Sequence, residues 1–271
     1  MNKLKVYVTP YIIWMSILVL VPCLMMLFLS FNDLDINDLS GFRFSLKHIT
    51  ILTSSTILVP LWNSIKYATI TTVICLLVGY PVAYFLASLK SEKKGLFTAL
   101  LVLPLWTNQI LRIKMWEFAF QEVSILNMFG ISWDLLGTDI AMIIGMVSMY
   151  LPFMVFPIYS VLEKRDLKLI EAAKDLGAND VQTFIKVTLP LSLGGIVSGV
   201  IMTLLPAMTA FALPERLSNG KILLIGNVIE KYFMKENRFN DGSVLSLVLM
   251  VISIISFILV VRKDKEGETL I

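Results

Sequence analysis

Long apolar runs alternate with short polar segments along the chain, and the runs have the length that a helix needs to cross a bilayer. A helix rises about 1.5 Å per residue, so a run of about 20 apolar residues spans the hydrocarbon core. Six stretches fit this pattern: residues 11–31, 62–89, 95–113, 139–162, 191–213 and 243–261. The pattern predicts an all-α, polytopic membrane protein with six transmembrane helices.

The composition agrees with this pattern, because 57% of the residues are hydrophobic and 16% are charged, with a mean hydropathy of +0.81. Soluble domains are about half apolar and about a quarter charged. We interpret residues 1–271 as one transmembrane domain, in which spans two to six, residues 62–261, form the core. The first span is expected to be retained, because Asn-Asp-Leu-Asp follows it in place of a small-residue cleavage site.

The basic residues predict the orientation of the chain in the membrane. The N-terminal segment, the loop near residue 92, the polar stretch 163–190 and the C-terminal tail are short and hold 13 of the 23 Lys and Arg residues. Short cytoplasmic loops carry such an excess. Both termini and the stretch 163–190 are therefore predicted to be cytoplasmic. The net charge of +3 is small and the basic residues flank spans, so no nucleic-acid partner is expected.

The stretch 163–190 has the pattern of a helix, a turn and a second helix. Asp166 is the predicted N-cap of the first helix, whose apolar residues follow at three- and four-residue spacing. Gly177 can adopt positive φ and end that helix. Asn179 and Gln182 fit a capping box for the second helix.

The second helix of this stretch is predicted to be short. Val181, Phe184 and Thr188 would share one face of it, and Pro190 would mark the start of the next segment. Such an amphipathic pair between two spans has the form of a surface that a cytoplasmic partner grips.

Six positions in this stretch follow a known spacing: Glu171, Ala172, Ala173, Gly177, Leu189 and Pro190. They resemble the EAA loop of ABC-importer permeases, E-A-A-x3-G-x9-I-x-L-P, with Val187 at the usual Ile position. The resemblance implies that this coupling loop, 163–190, contains a helix that docks on a cytoplasmic ATPase. The alternative is an ordinary amphipathic connector, for which Glu-Ala-Ala alone would be common.

Further segments, spread over residues 60–260, resemble spermidine/putrescine permeases. They are 103–108 with Arg112, 151–155 with Tyr159 and Ser160, 205–208, and 223–229. After Arg238 that family tends to have Asp-Trp-Pro-x-Gly, whereas this chain has Phe-Asn-Asp-Gly. This part of the outer loop is therefore expected to contact a binding protein differently.

The resemblance implies a non-catalytic permease subunit of an ATP-driven polyamine importer in the bacterial plasma membrane. The implied partners are a second, related permease in a heterodimer, two copies of an ABC ATPase and an extracytoplasmic polyamine-binding protein. This chain contains no Gly-x4-Gly-Lys-Ser/Thr sequence. ATP and Mg²⁺ are therefore expected on the ATPase, and no cofactor or metal in this chain.

A polyamine is a flexible polycation, which carboxylates and aromatic faces can bind. The candidate residues of a substrate path are Trp106, Asn108, Tyr150, Phe153, Phe211 and Glu215. Lipid or core packing is the alternative role of each aromatic residue. Because the spans have no central Asp or Glu, affinity is expected to reside in the binding protein and this chain to form a weak, gated path.

Other residues have structural interpretations beside functional ones. Four prolines within spans, at positions 104, 152, 157 and 206, either kink packed helices or break helices that line a path. Gly195 and Gly199 indicate close helix packing. His48, the only histidine, is expected to be a solvated loop residue, and Cys23 and Cys75 to be packing residues.

Two alternative functions stay open. One is an ABC permease for another small solute such as an inorganic anion, which Arg112 near the outer end of a span supports weakly. The other is a membrane enzyme or a scaffold without ATPase coupling. The sequence has no evident catalytic constellation, which argues against an enzyme.

Overall fold

The computed structural model describes residues 2–33, 43–89, 91–121 and 135–263, except for the side chains of 2–8, 91–93 and 259–263. Regular structure in this part is helical apart from an isolated bridge between Asn32 and Phe44. The helices are α1 (Asn2–Ser30), α2 (Ser55–Ser88), α3 (Ser91–Trp106), α4 (Gln109–Ala119), α5 (Asp139–Glu163), α6 (Leu167–Asp175), α7 (Asp180–Thr183), α8 (Leu189–Leu191), α9 (Leu193–Met208), α10 (Ala212–Leu217), α11 (Ile225–Met234) and α12 (Phe239–Lys263). A 3₁₀ segment, Lys47–Thr53, precedes α2, and a π-helical turn, Phe184–Thr188, joins α7 to α8. The predicted all-α fold is confirmed.

Four described helices are long and apolar enough to cross a membrane: Thr9–Ser30, Ser55–Ser88, Asp139–Glu163 and Phe239–Ile258. Two further pairs qualify only if each bent pair counts as one span. Lys94–Trp106 and Gln109–Ala119 meet at 92°, and Asp180–Leu191 and Leu193–Met208 meet at 62°. Four of the six predicted spans are thus single long helices, and the third and fifth correspond to the two bent pairs.

The third predicted span is broken more sharply than a proline kink. The helix α3 continues past Pro104 to Trp106, and the Asn108 side chain then accepts a hydrogen bond from the Ile110 amide at 2.8 Å. This cap starts α4, so helical structure continues to Ala119, past the predicted end of the third span at residue 113. Near the end of α4, the Trp116 and Phe120 rings stack at 5.1 Å.

Other boundaries also differ from the predictions. The second span begins at Ser55, because α2 accommodates Pro60 within its first two turns. The fifth ends at Met208, and α10 follows as a separate short helix. The helix α11 separates α10 from the sixth span, which begins at Phe239, ahead of the predicted 243.

By its internal contacts the chain divides into two compact units, Met1–Val59 with Asn227–Ser253 and Pro60–Gly226 with Ile254–Ile271. The first unit corrects the expectation for His48. Its ring is only 17% exposed, and Nδ1 lies 2.7 Å from Oδ1 of Asp241. The Arg238 guanidinium also pairs with Asp241, at 2.6 Å. His48 is therefore an internal contact residue, because a partner 193 positions away reaches it.

In the second unit, α5 and α9 pack closely through two glycines. A Cβ at Gly195 would lie 2.9 Å from the Pro157 carbonyl oxygen, and one at Gly199 would lie 2.9 Å from that of Met154. The prediction that these glycines permit close packing is confirmed. Cys75 of the same unit is buried and both cysteines are free, in agreement with a packing role for Cys75.

Candidate functional site

The stretch 163–190 folds locally as its sequence predicts. The Asp166 side chain accepts a hydrogen bond from the Lys168 amide at 3.0 Å and caps α6. Gly177 has a φ of +85° and ends the helix, and no atom of the described residues lies within 4 Å of the place a Cβ would take. The amide of Gln182 donates to the Asn179 side chain at 2.8 Å, and the Asn179 amide to the Gln182 side chain at 3.0 Å, which completes the predicted capping box.

Both leucines of α6 are exposed. None of the α6 residues is buried within the described chain, and Leu167 and Leu169 are 59% and 48% exposed. Leu176, just after the helix, is 90% exposed. Exposed apolar residues grouped on one short helix are typical of a surface that a partner covers.

The coupling loop has two arms: α6 before Gly177, and the stretch from α7 to α8 after it. Its six motif positions lie on both arms and at the turn. Glu171, Ala172 and Gly177 are exposed, Ala173 and Leu189 are partly buried, and Pro190 is exposed. Between the arms, the Lys174 ammonium lies 2.8 Å from Oδ1 of Asp180. This hydrogen bond to Asp180 raises the pKa of Lys174.

The second arm differs from its prediction. Val181 is 64% exposed and Thr188 is buried, so these two residues do not share one face. The π-helical turn between them changes the angular spacing of side chains, which a pattern based on α-helical spacing cannot anticipate. Pro190 does not start a new segment, because helical structure continues through it and the 62° bend comes at Ser192.

A cavity of about 350 Å³ lies in the second unit, where both broken helices meet α5. It is lined by Leu105, Thr107, Gln109, Arg112, Met149, Tyr150, Phe153, Pro206, Thr209, Ala210, Phe211, Ala212 and Leu213. Three of the predicted path residues, Tyr150, Phe153 and Phe211, line it together. None of these lining residues, all from the described part of the chain, is a carboxylate.

The other three predicted path residues lie elsewhere. Trp106 is 84% exposed and does not line the cavity. The Asn108 side chain caps α4, and Glu215 lies on α10, within the first turn after Phe211. Gln109 and Thr209 also line the cavity but were not predicted as path residues. Each is a polar residue within an apolar stretch of the sequence, and this was the signal that could have found them.

Arg112 holds the break between α3 and α4 in place. Its Nη1 donates to the Pro104 carbonyl at 3.0 Å, and its Nη2 to the Ser148 carbonyl of α5 at 2.9 Å. Pro104 lies in the last turn of α3, where carbonyl groups have no partner in their own helix. On the other broken helix, the Tyr150 hydroxyl donates to the Pro206 carbonyl at 3.2 Å.

Gly226 brings the start of α11 against the junction between α9 and α10. A Cβ there would lie 2.4 Å from the Thr209 carbonyl oxygen and 2.8 Å from that of Ala210, so only glycine fits. The Ile225 amide donates to the Ser64 hydroxyl of α2 at 2.8 Å. These contacts set the position of one wall of the cavity.

The chain belongs to the family described as the binding-protein-dependent transport system inner membrane component, which matches residues 3–263. This assigns it to multi-pass bacterial membrane proteins that serve transport, as the coupling-loop motif predicts. Among curated relatives, the spermidine/putrescine transport system permease protein PotB of Haemophilus influenzae is 37% identical over 96% of this chain and 94% of its own. PotB of Escherichia coli is 37% identical over 88% of this chain and 90% of its own.

Solved structures support the fold. A bacterial ABC transporter involved in the import of the acidic polysaccharide alginate has a chain with a TM-score of 0.76 and 14% identity, covering 97% of this chain and 96% of its own. A bacterial alginate ABC transporter in complex with an alginate pentasaccharide-bound periplasmic protein gives a TM-score of 0.79 and 12% identity, covering 98% and 94%. At this identity the likeness establishes the ABC-importer permease fold.

Proposed function

We propose that this chain is the permease subunit of an ATP-driven importer for polyamines such as spermidine and putrescine. The observation that carries the proposal is the 37% identity to PotB of Haemophilus influenzae, which extends over 96% of this chain. The family model matches residues 3–263, a range that contains both the cavity residues and the coupling loop. ATP and Mg²⁺ bind a separate ATPase, and this chain contributes no catalytic residue.

The coupling loop is the docking site for that ATPase in this proposal. The exposed apolar side chains of α6, with Leu176 at 90% exposure, support a partner that covers them. Glu171, Ala172, Ala173, Gly177, Leu189 and Pro190 shape the loop. Gly177 gives the turn and leaves open space around itself, which lets a protein surface approach closely.

The cavity is the part of this chain through which the solute passes. A protonated amine can contact aromatic faces of Tyr150, Phe153 and Phe211 and backbone carbonyl oxygens near the helix breaks. Because the lining residues include no carboxylate, binding there is weak, and a weak site releases its solute quickly. Trp106, Asn108 and Glu215 stay predicted path residues, near the cavity in sequence but outside its lining.

The complete importer contains further subunits. A second, related permease pairs with this chain, two ATPase copies bind on the cytoplasmic side, and an extracytoplasmic binding protein delivers the polyamine. The excess of basic residues in the short loops supports cytoplasmic termini and a cytoplasmic coupling loop.

Transport in proteoliposomes tests the proposal. The chain is reconstituted with candidate permease, ATPase and binding-protein subunits from the same organism, and uptake of labelled spermidine, putrescine, sulfate and phosphate is measured with and without ATP. We expect ATP-dependent uptake of a polyamine and none of the anions. Uptake of an anion alone would support the alternative suggested by Arg112, which lines the cavity, and would overturn the polyamine assignment.

The orientation is tested by single cysteines in a cysteine-free background. A cysteine at Lys174 should be shielded from an impermeant thiol reagent in whole cells, whereas one at the exposed Asn237 should react. Disruption of the cells should expose the first site as well. The reverse pattern would remove the coupling loop from the cytoplasm and the ATPase from its proposed site.

A further inference from the structure

The coupling loop and the bend that follows it contact α2 through Arg165, Phe184 and Ser192. Phe184, on the π-helical turn, lies edge-on to two tyrosines of α2. Its ring centroid is 5.7 Å from that of Tyr80 and 5.8 Å from that of Tyr84, with interplanar angles of 87° and 86°. Aromatic rings favour this edge-to-face arrangement. One ring of the coupling loop therefore contacts two successive turns of α2.

The start of the coupling loop is tied to the same helix. The Arg165 guanidinium lies over the Tyr84 ring at 5.0 Å, and its Nη2 donates to the Ser88 hydroxyl at 3.4 Å. Its Nη1 is buried without a hydrogen-bond partner among the described residues. Arg165 directly precedes Asp166, the cap of α6, so both ends of the coupling loop contact α2.

The bend between α8 and α9 is tied to α2 as well. The hydroxyl oxygens of Tyr80 and Ser192 lie 2.9 Å apart. Ser192 is fully buried and stands where the chain turns by 62° into α9. Its amide bonds to the Thr188 and Leu189 carbonyls, both at 3.1 Å. Because these hydrogen bonds and Tyr80 hold Ser192, α8 has little freedom to rotate relative to α9.

We propose that Tyr80, Tyr84, Arg165 and Phe184 are positioning residues that make the coupling loop and the cytoplasmic half of α2 move as one body. A push on α6 then displaces α2 and α9 together, and α9 carries Pro206 of the cavity wall. Without these contacts, the push would be absorbed by rotation at Ser192. The inference rests on the proposed function, since it needs an ATPase docked on α6.

Distance measurements between spin labels test the rigid unit. Labels are placed at Leu77 of α2 and Val181 of α7, both well exposed, in a chain with Cys23 and Cys75 replaced by alanine. We expect a narrow distance distribution in the isolated chain and in the ATPase complex, unchanged by ATP. Phe184→Ala should broaden it. The matched control is Phe97→Ala, because Phe97 contacts Phe85 of α2 edge-on at 6.4 Å but lies outside the coupling loop.

A second readout separates positioning from folding. In the reconstituted importer, Phe184→Ala should retain the ATPase on co-purification but lower polyamine uptake per ATP hydrolysed by at least roughly threefold, within the range that single mutations along a coupling network produce. Phe184→Tyr, which keeps the ring, should restore the ratio, and Phe97→Ala should leave it at the wild-type value.

Three results would overturn the inference. The first is a distance distribution in Phe184→Ala as narrow as in wild type, and the second is an equal loss of uptake and ATP hydrolysis. Loss of the ATPase from Phe184→Ala would also contradict it, because Phe184 would then be a docking residue. If the wild-type importer moves no polyamine, the proposed function fails, whereas the spin-label distances still decide whether α2 and the loop form one body.

Discussion

The coupling loop and the cavity are built in opposite ways within one compact unit. Each cap of the coupling loop joins residues two or three positions apart, Asp166 with residue 168 and Asn179 with Gln182. The cavity instead depends on Arg112 and Ser148, 36 positions apart, and on Tyr150 and Pro206, 56 positions apart. Local sequence therefore specifies the loop, whereas only the packed helices create the cavity.

The coupling loop and the cavity also differ in which groups have no contact partner within the described part of the chain. The coupling loop leaves apolar side chains exposed, and Leu176 at 90% exposure is the largest example. Around the cavity, the Pro104 and Pro206 carbonyls at the helix ends accept bonds from Arg112 and Tyr150. Changes at the exposed positions of the loop should therefore affect assembly with little effect on stability. Changes around the cavity should affect stability and transport together.

The largest effect is expected for Gly177→Val. A β-branched residue at a φ of +85° is strained by about 1–2 kcal/mol, and its side chain enters the space that an ATPase surface would occupy. The chain should still insert and fold, but co-purification of the ATPase and solute-stimulated ATP hydrolysis should be lost.

Gly220→Val is the matched control for that strain. Gly220 has a φ of +71° and no atom within 4 Å of an added Cβ, but it lies outside the coupling loop. It should retain the ATPase. If Gly177→Val keeps both the ATPase and stimulated hydrolysis at wild-type levels, the loop is an ordinary connector. It then no longer differs from the cavity region by having a role in assembly.

Gly226→Val should have the next largest effect, now on the cavity side of the comparison. The added atoms collide with the Thr209 and Ala210 carbonyls, and such overpacking costs about 1–3 kcal/mol. We expect a lower melting temperature in detergent and slower uptake, with the ATPase still bound. Gly95→Val, where an added Cβ meets nothing within 4 Å, is the control. A normal melting temperature for Gly226→Val would contradict the close approach.

Arg112→Lys tests whether the fork of the guanidinium, and not its charge alone, holds the helix break. Lysine cannot bridge the Pro104 and Ser148 carbonyls as the two Nη atoms do. The loss of one charged hydrogen bond should destabilise the protein by about 1.5 kcal/mol and slow uptake moderately. Thermal melting and uptake measure these effects. If Arg112→Lys keeps the wild-type melting temperature and uptake rate, the positive charge of Arg112 is sufficient and the guanidinium fork is not needed.

Glu171→Ala should have the smallest effect. Glu171 is exposed, and a single charge at a partly wet interface contributes about 0–1 kcal/mol. A titration of the ATPase against reconstituted permease should give slightly weaker binding and an unchanged melting temperature. Glu171→Gln separates the charge from the side-chain shape. A loss as complete as that of Gly177→Val would mean that Glu171, and not the turn, dominates docking.

The predictions that were wrong concern residues whose surroundings are set by distant parts of the chain. His48 was expected to be solvated because its neighbours in sequence are polar, but Asp241 reaches it from 193 positions away. The third span was predicted as one element, but the Asn108 cap turns the chain by 92°. The exposed Trp106 next to that cap shows that proximity in sequence to a cavity does not place a side chain in it.

The sequence by itself determined the helical class, the apolar spans, the caps of the coupling loop and the left-handed turn at Gly177. These features depend on bilayer thickness, hydrogen bonds and backbone sterics that act within a few residues. The tertiary structure alone decided which aromatic residues line the cavity, which carbonyls Arg112 joins and that Phe184 contacts α2. Those outcomes depend on where helices bend and how closely glycines let them approach, and both are set by contacts between residues far apart in the chain.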